Sequence, residues 1–509
     1  MRERARGRFD SGAWPERPAP EGQERRSMVD FEAVMGLEVH VELATATKLF
    51  CGCRNEFGSD PNTNICPVCL GLPGSLPVLN ERVVEFALRI GEAFHFDVPE
   101  RSIFHRKNYF YPDMPKDFQT SQYDSPICSD GYLDVDGVRI GIERAHMEED
   151  TGKTTHVGGG GRIHDADHSL VDYNRAGVPL MEIVSRPDIH SSEQAKGYVT
   201  ELRGILETIG VSDVKMEEGS MRVDANVSVR PVGTETLGTR AEIKNMNSVR
   251  SLGRAIEFEI ERQIELIESG GRVVQETRHW DESAGVTHGM RSKEGSEDYR
   301  YFPEPDLVPV VPTDAMRAAA RAAVGELPAA RRARFIADWG ISETDARTLL
   351  ESPGLADFAD ATVAAGAPGK DVTNWLSGDV LGYLNETGLS LAALPLSPKT
   401  LAELCALVVD GTLSRNLAKD VLAECLREPK RPADVVAERG LAQVSDEGAL
   451  GTLVDAVLAA NPEAIEEYRT GDEKLAKKKR GFLMGELMKA SKGSGNPQVL
   501  NRLLDERLN

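Results

Sequence analysis

The stretch VMGLEVHVEL, residues 34–43, decides the fold because its apolar and polar residues alternate. Aliphatic side chains occupy every second position, and Glu38, His40 and Glu42 lie between them. A period of two places successive side chains on opposite faces of a β-strand. The stretch therefore predicts a strand with one apolar face and one face that carries two carboxylates and an imidazole.

Two later stretches repeat this pattern. RIGIERAHMEED (139–150) ends in a run of acidic residues, and VPLMEIVS (178–185) carries Glu182. An apolar sheet face requires a packed layer behind it, whereas an acidic face requires cations in front of it. Glutamate, aspartate and histidine together suit Mg²⁺, and Mg²⁺ commonly accompanies a nucleotide. The three stretches predict a sheet whose polar face binds metal and nucleotide.

Length and charge limit the class of protein. The chain has 509 residues and a net charge of −22, which argues for two to four domains and against a general nucleic-acid-coating protein. No run reaches the roughly 18–20 apolar residues of a membrane span, and the basic start lacks the apolar core of a secretory signal. Residues 1–27 are expected to be a disordered extension. Seven cysteines in so long a chain do not suggest a disulfide scaffold, so we expect a cytoplasmic protein.

Four cysteines have the spacing of a metal knuckle. Cys51 and Cys53 form a C-x-C pair, and Cys66 and Cys69 form a C-x-x-C pair after a turn-rich loop. Four thiolates at this spacing favour a closed, structural Zn²⁺ site. The alternative is two unrelated pairs of buried or redox cysteines.

Two further strands add cations to the polar face. SMRVDANVSVR (220–230) and TRAEIKNMNS (239–248) alternate like the first strand and place Arg222 and Lys244 on their polar sides. Acids on some strands and cations on others are typical of a triphosphate-and-metal site. Ordinary cross-strand pairing on a solvated sheet is the alternative. Helical patterns are expected over 80–94, over 191–210 and over 247–271. Ser191 or Ser192 is expected to cap the second of these helices, and Asn247 the third.

The chain changes character near residue 313. Alanine, leucine and arginine dominate from there, which predicts an all-α domain, and a Pro- and charge-rich boundary lies at 427–434. The last segment contains the basic residues Lys477, Lys478, Lys479 and Arg480 in an acidic protein. This patch suits RNA phosphate, although such a run is often only a solvated face. The predicted domains are residues 28–312, 313–434 and 435–509.

Six motifs in order carry a family resemblance. They are GLEVHVEL, KNYFYPDMPK, HMEED, DYNRAGVPLMEIVS, DVKMEEGSMRVDANVSVR and YRYFPEPD. From about residue 31 onward, the chain resembles the B subunits of tRNA-dependent glutamyl/aspartyl amidotransferases. The resemblance implies an α+β fold: an antiparallel-sheet cradle domain related to glutamine synthetase and guanido kinases, an all-α helical domain and a small helical C-terminal tail domain. The four cysteines match the zinc-bearing members of the family.

The resemblance also implies an activity and partners. ATP would phosphorylate the side-chain carboxylate of Glu or Asp mischarged on tRNA-Gln or tRNA-Asn. Ammonia released from glutamine by an amidase A subunit would then displace phosphate and give Gln-tRNA-Gln or Asn-tRNA-Asn. A small C subunit would complete a heterotrimer. This chain shows no Ser-Ser-Lys amidase signature, so glutamine hydrolysis should require the partner.

With this chemistry in mind, the acidic strands supply the site. Because an anionic carboxylate must approach an anionic γ-phosphate, metal is needed between them. The expected catalytic and magnesium-binding residues are Glu38, His40, Glu148, Glu149 and Glu182. His40 and Glu182 are also candidates for ammonia transfer. Lys107, Arg222 and Lys244 are expected to contact ATP phosphates, the four cysteines to bind zinc near the tRNA acceptor end, and the basic tail to bind tRNA.

Two other function classes are compatible with part of this pattern. An ATP-dependent carboxylate–amine ligase acting on a small substrate would keep the acidic cradle but would have little use for the basic tail. A non-catalytic zinc-bearing tRNA scaffold would keep the tail but would not turn over ATP.

Overall fold

The structure is a computed structural model that describes residues 30–158, 166–292, 299–352, 354–441, 447–491 and 495–508. The predicted N-terminal extension, residues 1–27, lies outside the described residues. The chain divides into two compact units, the first ending at Ala323 and the second beginning at Val324. The first unit combines sheets and helices and the second is helical, so the predicted α+β class is confirmed.

The described residues form the following elements. The strands are β1 (Phe31–Glu42), β2 (His105–Asn108), β3 (Phe118–Ser121), β4 (Cys128–Val135), β5 (Val138–Glu149), β6 (Lys153–Val157), β7 (His168–Asp172), β8 (Pro179–Ser185), β9 (Met221–Pro231), β10 (Ala241–Met246), β11 (Glu276–Asp281), β12 (Val286–Ser292) and β13 (Phe302–Pro303). The helices are α1 (Glu81–Ala93), α2 (Ser192–Thr208), α3 (Val249–Glu268), α4 (Asp314–Val324), α5 (Pro328–Trp339), α6 (Glu343–Glu351), α7 (Leu355–Ala364), α8 (Gly369–Asn374), α9 (Leu381–Thr387), α10 (Pro398–Val409), α11 (Arg415–Cys425), α12 (Pro432–Arg439), α13 (Glu447–Ala460), α14 (Pro462–Thr470), α15 (Glu473–Ala490) and α16 (Pro497–Leu508).

The main sheet of the first unit is built around β1. Its strand order is β12-β11-β10-β9-β1-β8-β5-β4, so β1 lies between β8 and β9. All neighbours are antiparallel except β10 and β11, which are parallel and are joined through α3. The three predicted acidic strands, β1, β8 and β5, are therefore adjacent.

The alternation in β1 has the expected consequence. Leu37, Val39 and Val41 are fully buried, whereas Glu38, His40 and Glu42 are only half-buried on the opposite face. Helices α1, α2 and α3 pack against the sheet strands and supply its covering layer. Ser191 caps α2 as predicted, whereas Ser248 rather than the expected Asn247 caps α3, by accepting a 3.0 Å hydrogen bond from the Ser251 amide.

Two smaller sheets flank the polar region. The order β13-β2-β3 forms a three-stranded sheet, and β6 and β7 form a hairpin. The segment between β2 and β3 contains prolines and connects the two strands without forming a strand or helix of its own, because proline cannot donate a backbone hydrogen bond.

The described residues of the second unit form two hydrophobic cores. One draws its buried side chains from Phe335 to Val436, and the other from Leu450 to Leu508. The predicted boundary at residue 434 falls within α12, because Val435 and Val436 are buried in the first of these cores. The predicted boundary at 312 precedes α4, most of which belongs to the first unit.

Candidate functional site

The register of the main sheet assembles a row of polar side chains. His40 on β1 lies opposite Glu182 on β8 and opposite Arg222 on β9. Glu182 in turn lies opposite His146 on β5. Residues opposite one another in a sheet point to the same face, so the four side chains form one row across four strands.

Two members of this row, His40 and Glu182, form a candidate metal group together with Glu148 of β5. The Nε2 atom of His40 lies 3.6 Å from Glu148 Oε1 and 3.4 Å from Glu182 Oε2. His146 Nε2 approaches the same Glu182 oxygen at 3.3 Å. One ligand atom from each of the three residues lies within 4.8 Å of the others. The carboxylate oxygens of this group suit Mg²⁺ or Mn²⁺, whereas the imidazole nitrogen is a donor that Zn²⁺ and Fe²⁺ prefer.

The charges of this group are strongly coupled. Burial lowers the pKa of His40, but the carboxylates of Glu182, Glu148 and Asp224 more than offset this effect and raise it to about 9. Burial opposes ionisation of Glu182, yet the imidazoles of His146 and His40 hold its pKa well below the usual value. The carboxylate of Glu182 is therefore ionised at neutral pH, as a metal ligand must be, whereas the imidazole of His40 is protonated and has to release its proton before it can bind a metal.

Glu38 belongs to a second group rather than to the first. Its carboxylate lies with those of Asp224 on β9 and Glu242 on β10, again with ligand atoms within 4.8 Å of one another. Asn226 Nδ2 donates to Glu38 Oε1 at 2.8 Å. Lys244 forms an ion pair with Asp224 and lies 3.3 Å from Glu242 Oε1. The ammonium of Lys244 is thus directed at carboxylates, and its contact with ATP phosphates stays a prediction.

Arg222 is held beside the first group by a buried carboxylate. Its Nη2 donates to Asp150 Oδ2 at 2.8 Å, and Arg175 Nε lies 3.4 Å from the same oxygen. Glu42 lies nearby on β1. Burial raises the pKa of Glu42 to about 7, and the negative charge of Asp150 adds to this effect.

Lys107 on β2 faces the first group from the neighbouring sheet. Burial lowers the pKa of Lys107, but Glu148 and Glu182 more than offset this effect, so the pKa lies above its usual value. The ammonium lies 5.0 Å from the centre of the Tyr299 ring, and Ser121 on β3 donates to Glu148 Oε2 at 3.3 Å. The three-stranded sheet therefore contributes one cation and one hydroxyl to the polar region.

Glu149 is the predicted site residue that the structure separates from the others. Its carboxylate forms an ion pair with Lys116 and accepts a 2.8 Å hydrogen bond from the Thr120 amide. In the described ranges it belongs to neither carboxylate group. Lys116 and Glu149 line a cavity of about 250 Å³ together with Cys51 and Cys69. Adjacent residues of a strand point to opposite faces, so the side chains of Glu148 and Glu149 contact different groups.

The four predicted zinc ligands converge. The sulfur atoms of Cys51, Cys53, Cys66 and Cys69 lie within 4.8 Å of one another, and none forms a disulfide. The Cys66–Cys69 Sγ distance of 3.8 Å matches the sulfur–sulfur edge of about 3.8 Å expected of a tetrahedron with Zn–S bonds of about 2.3 Å. The pKa of Cys69 is lowered to about 5, because the thiol of Cys51 and the amide of Cys66 donate to its sulfur.

The loop between the cysteine pairs is joined to the base of the β6–β7 hairpin. The amide of Asn62 donates to Asp172 Oδ1 at 3.0 Å, and Asn62 Oδ1 accepts from the Tyr173 amide at 2.8 Å. The amide of Asn64 donates to Asn174 Oδ1 at 2.8 Å. These contacts end one residue before Arg175, so the cysteine cluster is connected to the arginines around Asp150.

The basic residues of the tail lie on α15 and have different surroundings. Lys477 and Lys478 are at least partly exposed. Lys479 forms an ion pair with Glu467, and Arg480 forms two 2.8 Å hydrogen bonds with Asp505. The first two lysines can meet a phosphate backbone, whereas the other two residues hold helices of the tail together.

Comparison with known proteins gives the chain a family. Residues 33–318 match the model of the GatB/GatE catalytic domain, and residues 357–508 match that of the GatB domain. The B subunit of the aspartyl/glutamyl-tRNA(Asn/Gln) amidotransferase from Moorella thermoacetica is 53% identical over 94% of this chain and all of its own length. The B subunits of the same name from Caldanaerobacter subterraneus and Thermosynechococcus vestitus are each 50% identical over 94% of this chain, covering 99% and 97% of their own lengths. The chain belongs to the GatB family. The resemblance drawn from the six motifs is thereby confirmed.

For this member of the GatB family, the structure adds site residues that the motifs alone did not single out. Asp224 and Glu242 complete the group of Glu38, and His146 contacts Glu182. All three lie at polar positions of strands with alternating sequence, so the sequence indicated that their side chains face the polar side. It did not indicate which strands are neighbours. Among the described helices of this GatB-family chain, none combines the length and the apolar character needed to cross a membrane.

Proposed function

We propose that this chain catalyses the ATP-dependent activation of the side-chain carboxylate of Glu or Asp carried by tRNA-Gln or tRNA-Asn. Amidation by ammonia then gives Gln-tRNA-Gln or Asn-tRNA-Asn. Membership of the GatB family supports this assignment. The observation that supports it is the row of His40, Glu182 and Arg222, which places two proposed metal ligands and a proposed phosphate-binding cation on one sheet face.

The chemistry explains why such a face is needed. A carboxylate is a poor acyl donor because oxide is a poor leaving group, whereas an acyl phosphate has a good one. Two anions must approach each other during phosphorylation. A bound Mg²⁺ would supply charge neutralisation there, and His40, Glu148 and Glu182 would hold it. Glu38, with Asp224 and Glu242, offers a second set of oxygen donors on the same face.

The cations of the site have a second task. Lys107, Arg222 and Lys244 border the two carboxylate groups, and positive charge fixed in place stabilises the charge that develops on a transferring phosphoryl group. Arg222 and Lys244 are paired with Asp150 and Asp224 in the structure, so the carboxylates keep them oriented before substrate binds. Glu149 holds Lys116 in the same manner and is assigned a positioning role.

The chain is proposed to work with partners that supply ammonia and deliver the substrate. An amidase A subunit would release ammonia from glutamine, and a small C subunit would complete a heterotrimer. Lys477 and Lys478 are proposed to contact the phosphate backbone of the tRNA. Arg480 and Lys479 would support this contact by keeping the tail helices together.

A structural zinc ion is proposed for the cysteine cluster. The convergence of Cys51, Cys53, Cys66 and Cys69 and the 3.8 Å edge between two sulfurs support a closed tetrathiolate site. Through Asn62 and the hairpin base, the ion would hold the loop that leads to the polar face rather than take part in the reaction.

One reconstituted reaction tests the main proposal. The chain, co-purified with its A and C subunits, is incubated with Glu-tRNA-Gln or Asp-tRNA-Asn, glutamine, Mg²⁺ and ATP, and the amino acid released from the tRNA is identified. We expect Gln or Asn with the wild type and a loss of at least about 100-fold with Glu182→Gln. Glu143→Gln, an exposed glutamate on the same strand as Glu148, is the matched control and should retain activity.

The alternatives predict other outcomes. A non-catalytic tRNA scaffold would give no tRNA-dependent ADP in the assembled complex. A ligase for a small substrate would amidate free acids and would tolerate removal of residues 447–508. Equal activity of wild type and Glu182→Gln would remove the metal assignment while leaving the family intact.

A further inference from the structure

Lys48 is a buried lysine for which the proposed reaction gives no role. Its side chain is fully buried, and its Nζ donates to the backbone oxygen of Asn64 at 3.0 Å. The same nitrogen lies 4.0 Å from Cys69 Sγ. Within the residues that the structure describes, no carboxylate forms an ion pair with it.

A buried ammonium requires compensation for the water it has lost. One carbonyl oxygen satisfies one of its three donors but provides no net charge. Four thiolates around Zn²⁺ carry a net charge of −2, and they also lie within the protein. The ammonium and the anionic cluster are adjacent, and the single positive charge offsets half of the net negative charge of the cluster.

We propose that Lys48 is the charge-compensating and positioning residue of the zinc centre, an inference that rests on the proposed zinc site. Lys48 does not ligate the metal, because an ammonium has no lone pair to offer. It stabilises the anionic cluster from outside, next to Cys69.

The position of Lys48 also joins the two halves of the cluster. Its backbone amide donates to the oxygen of Cys53 at 3.0 Å, on the first cysteine pair. Its ammonium donates to the backbone oxygen of Asn64, just before the second pair, and lies 4.0 Å from the sulfur of Cys69, which belongs to that pair. The stem between these ends passes Gly177, where an added Cβ would lie 3.6 Å from Lys48 Cδ. One residue thus bridges both cysteine pairs.

The test measures zinc affinity in the full-length chain by competition with a chromophoric chelator, with metal content determined by elemental analysis. Removing a group that supports metal ligands typically weakens metal affinity by about 10–100-fold. We expect a loss of this size in Lys48→Met and a smaller loss in Lys48→Arg, which keeps the charge. Arg54→Met removes an exposed cation that directly follows Cys53, and this variant should bind zinc like the wild type.

A second variant separates charge from hydrogen bonding and covers the case in which Lys48→Met does not fold. Lys48→Gln keeps a donor for the Asn64 oxygen but has no charge. A loss of at least about tenfold in Lys48→Gln supports the inference. Wild-type zinc affinity in Lys48→Gln overturns it and leaves the zinc site intact. A wild-type protein that binds no zinc overturns both.

Discussion

Replacement of Asp150 by asparagine should destabilise the first unit by an amount that the local geometry sets. The Asp150 side chain is almost fully buried, and it faces Arg222 at 2.8 Å and Arg175 at 3.4 Å. Asparagine has the same shape and keeps the acceptor for the Thr151 amide, so only the charge is lost. Two guanidinium groups then remain without their shared counter-ion.

The magnitude follows from the exposure of the partners. Removing one member of a buried ion pair costs about 3–5 kcal/mol. The side chains of Arg175 and Arg222 are 35% and 33% exposed, so water recovers part of this free energy. We expect the free energy of unfolding to fall by about 2–3 kcal/mol at pH 7. The measurement is urea unfolding of the full chain, monitored by circular dichroism and by fluorescence.

The pH dependence of this loss provides an internal check. Burial raises the pKa of Asp150, but Arg222 and Arg175 more than offset that effect and hold it below the ordinary value of 3.8. A carboxyl group whose pKa is lower in the folded state stabilises the protein above its unfolded pKa, and that contribution is lost as the pH falls through the folded pKa. The contribution of the Asp150 charge itself should therefore be lost below about pH 4. Between pH 5 and 7 the difference between wild type and Asp150→Asn should narrow as the pH rises, because Asp150 helps to raise the pKa of Glu42 to about 7 and so makes ionisation of Glu42 less favourable in the folded wild type.

Asp134→Asn is the matched control, because Asp134 pairs with Arg139 on the exposed β4–β5 hairpin. It should leave the urea midpoint unchanged within error. A loss below about 1 kcal/mol in Asp150→Asn, in the range of exposed pairs, would refute the role of Asp150 as the buried counter-ion.

Three other measurements test separate parts of the molecule. Joint replacement of Lys477 and Lys478 by alanine should raise the KM for the tRNA substrate and reduce the slope of log affinity against log salt by about two. Lys479→Ala should leave that slope unchanged, because Lys479 is paired with Glu467. Equal slopes in the two variants would contradict the assignment of phosphate contacts to Lys477 and Lys478 alone. Gly177→Ala should lower the free energy of unfolding by about 1–2 kcal/mol, since its φ of +84° is left-handed, and urea unfolding that shows no loss would argue against this strain. A zinc chelator should lower the Tm, with recovery on adding Zn²⁺ but not Mg²⁺, and Cys66→Ser should make the Tm insensitive to zinc.

Local patterns predicted the strands of the site and their exposed faces. The period of two in residues 34–43 was enough to predict which side chains of β1 share a face, since successive side chains of any strand point to opposite faces. The same geometry separates Glu148 from Glu149, a distinction that is lost when the acidic run is interpreted as one ligand set. The spacing of the four cysteines likewise brought their sulfurs together as expected.

Non-local pairing could not be predicted from these patterns. Glu38 was expected beside His40 in one metal site, but its group includes Asp224 and Glu242 because β9 and β10 lie on the other side of β1 from β8. A one-residue change in register would turn either set away from the site. Likewise, the basic run in the tail did not indicate that Arg480 on α15 donates hydrogen bonds to Asp505 on α16.

The central place of β1 has a consequence for synthesis of the chain. β1 ends at Glu42, yet its two neighbours begin only at Pro179 and Met221. Because the ribosome releases the chain from its N-terminus, the first strand emerges long before either neighbour exists. The backbone of β1 cannot pair on both edges until translation has passed Pro231, where β9 ends. Nascent chains arrested before that point would carry an unpaired, aggregation-prone strand, and premature termination there would yield a target for chaperones rather than a partly active enzyme.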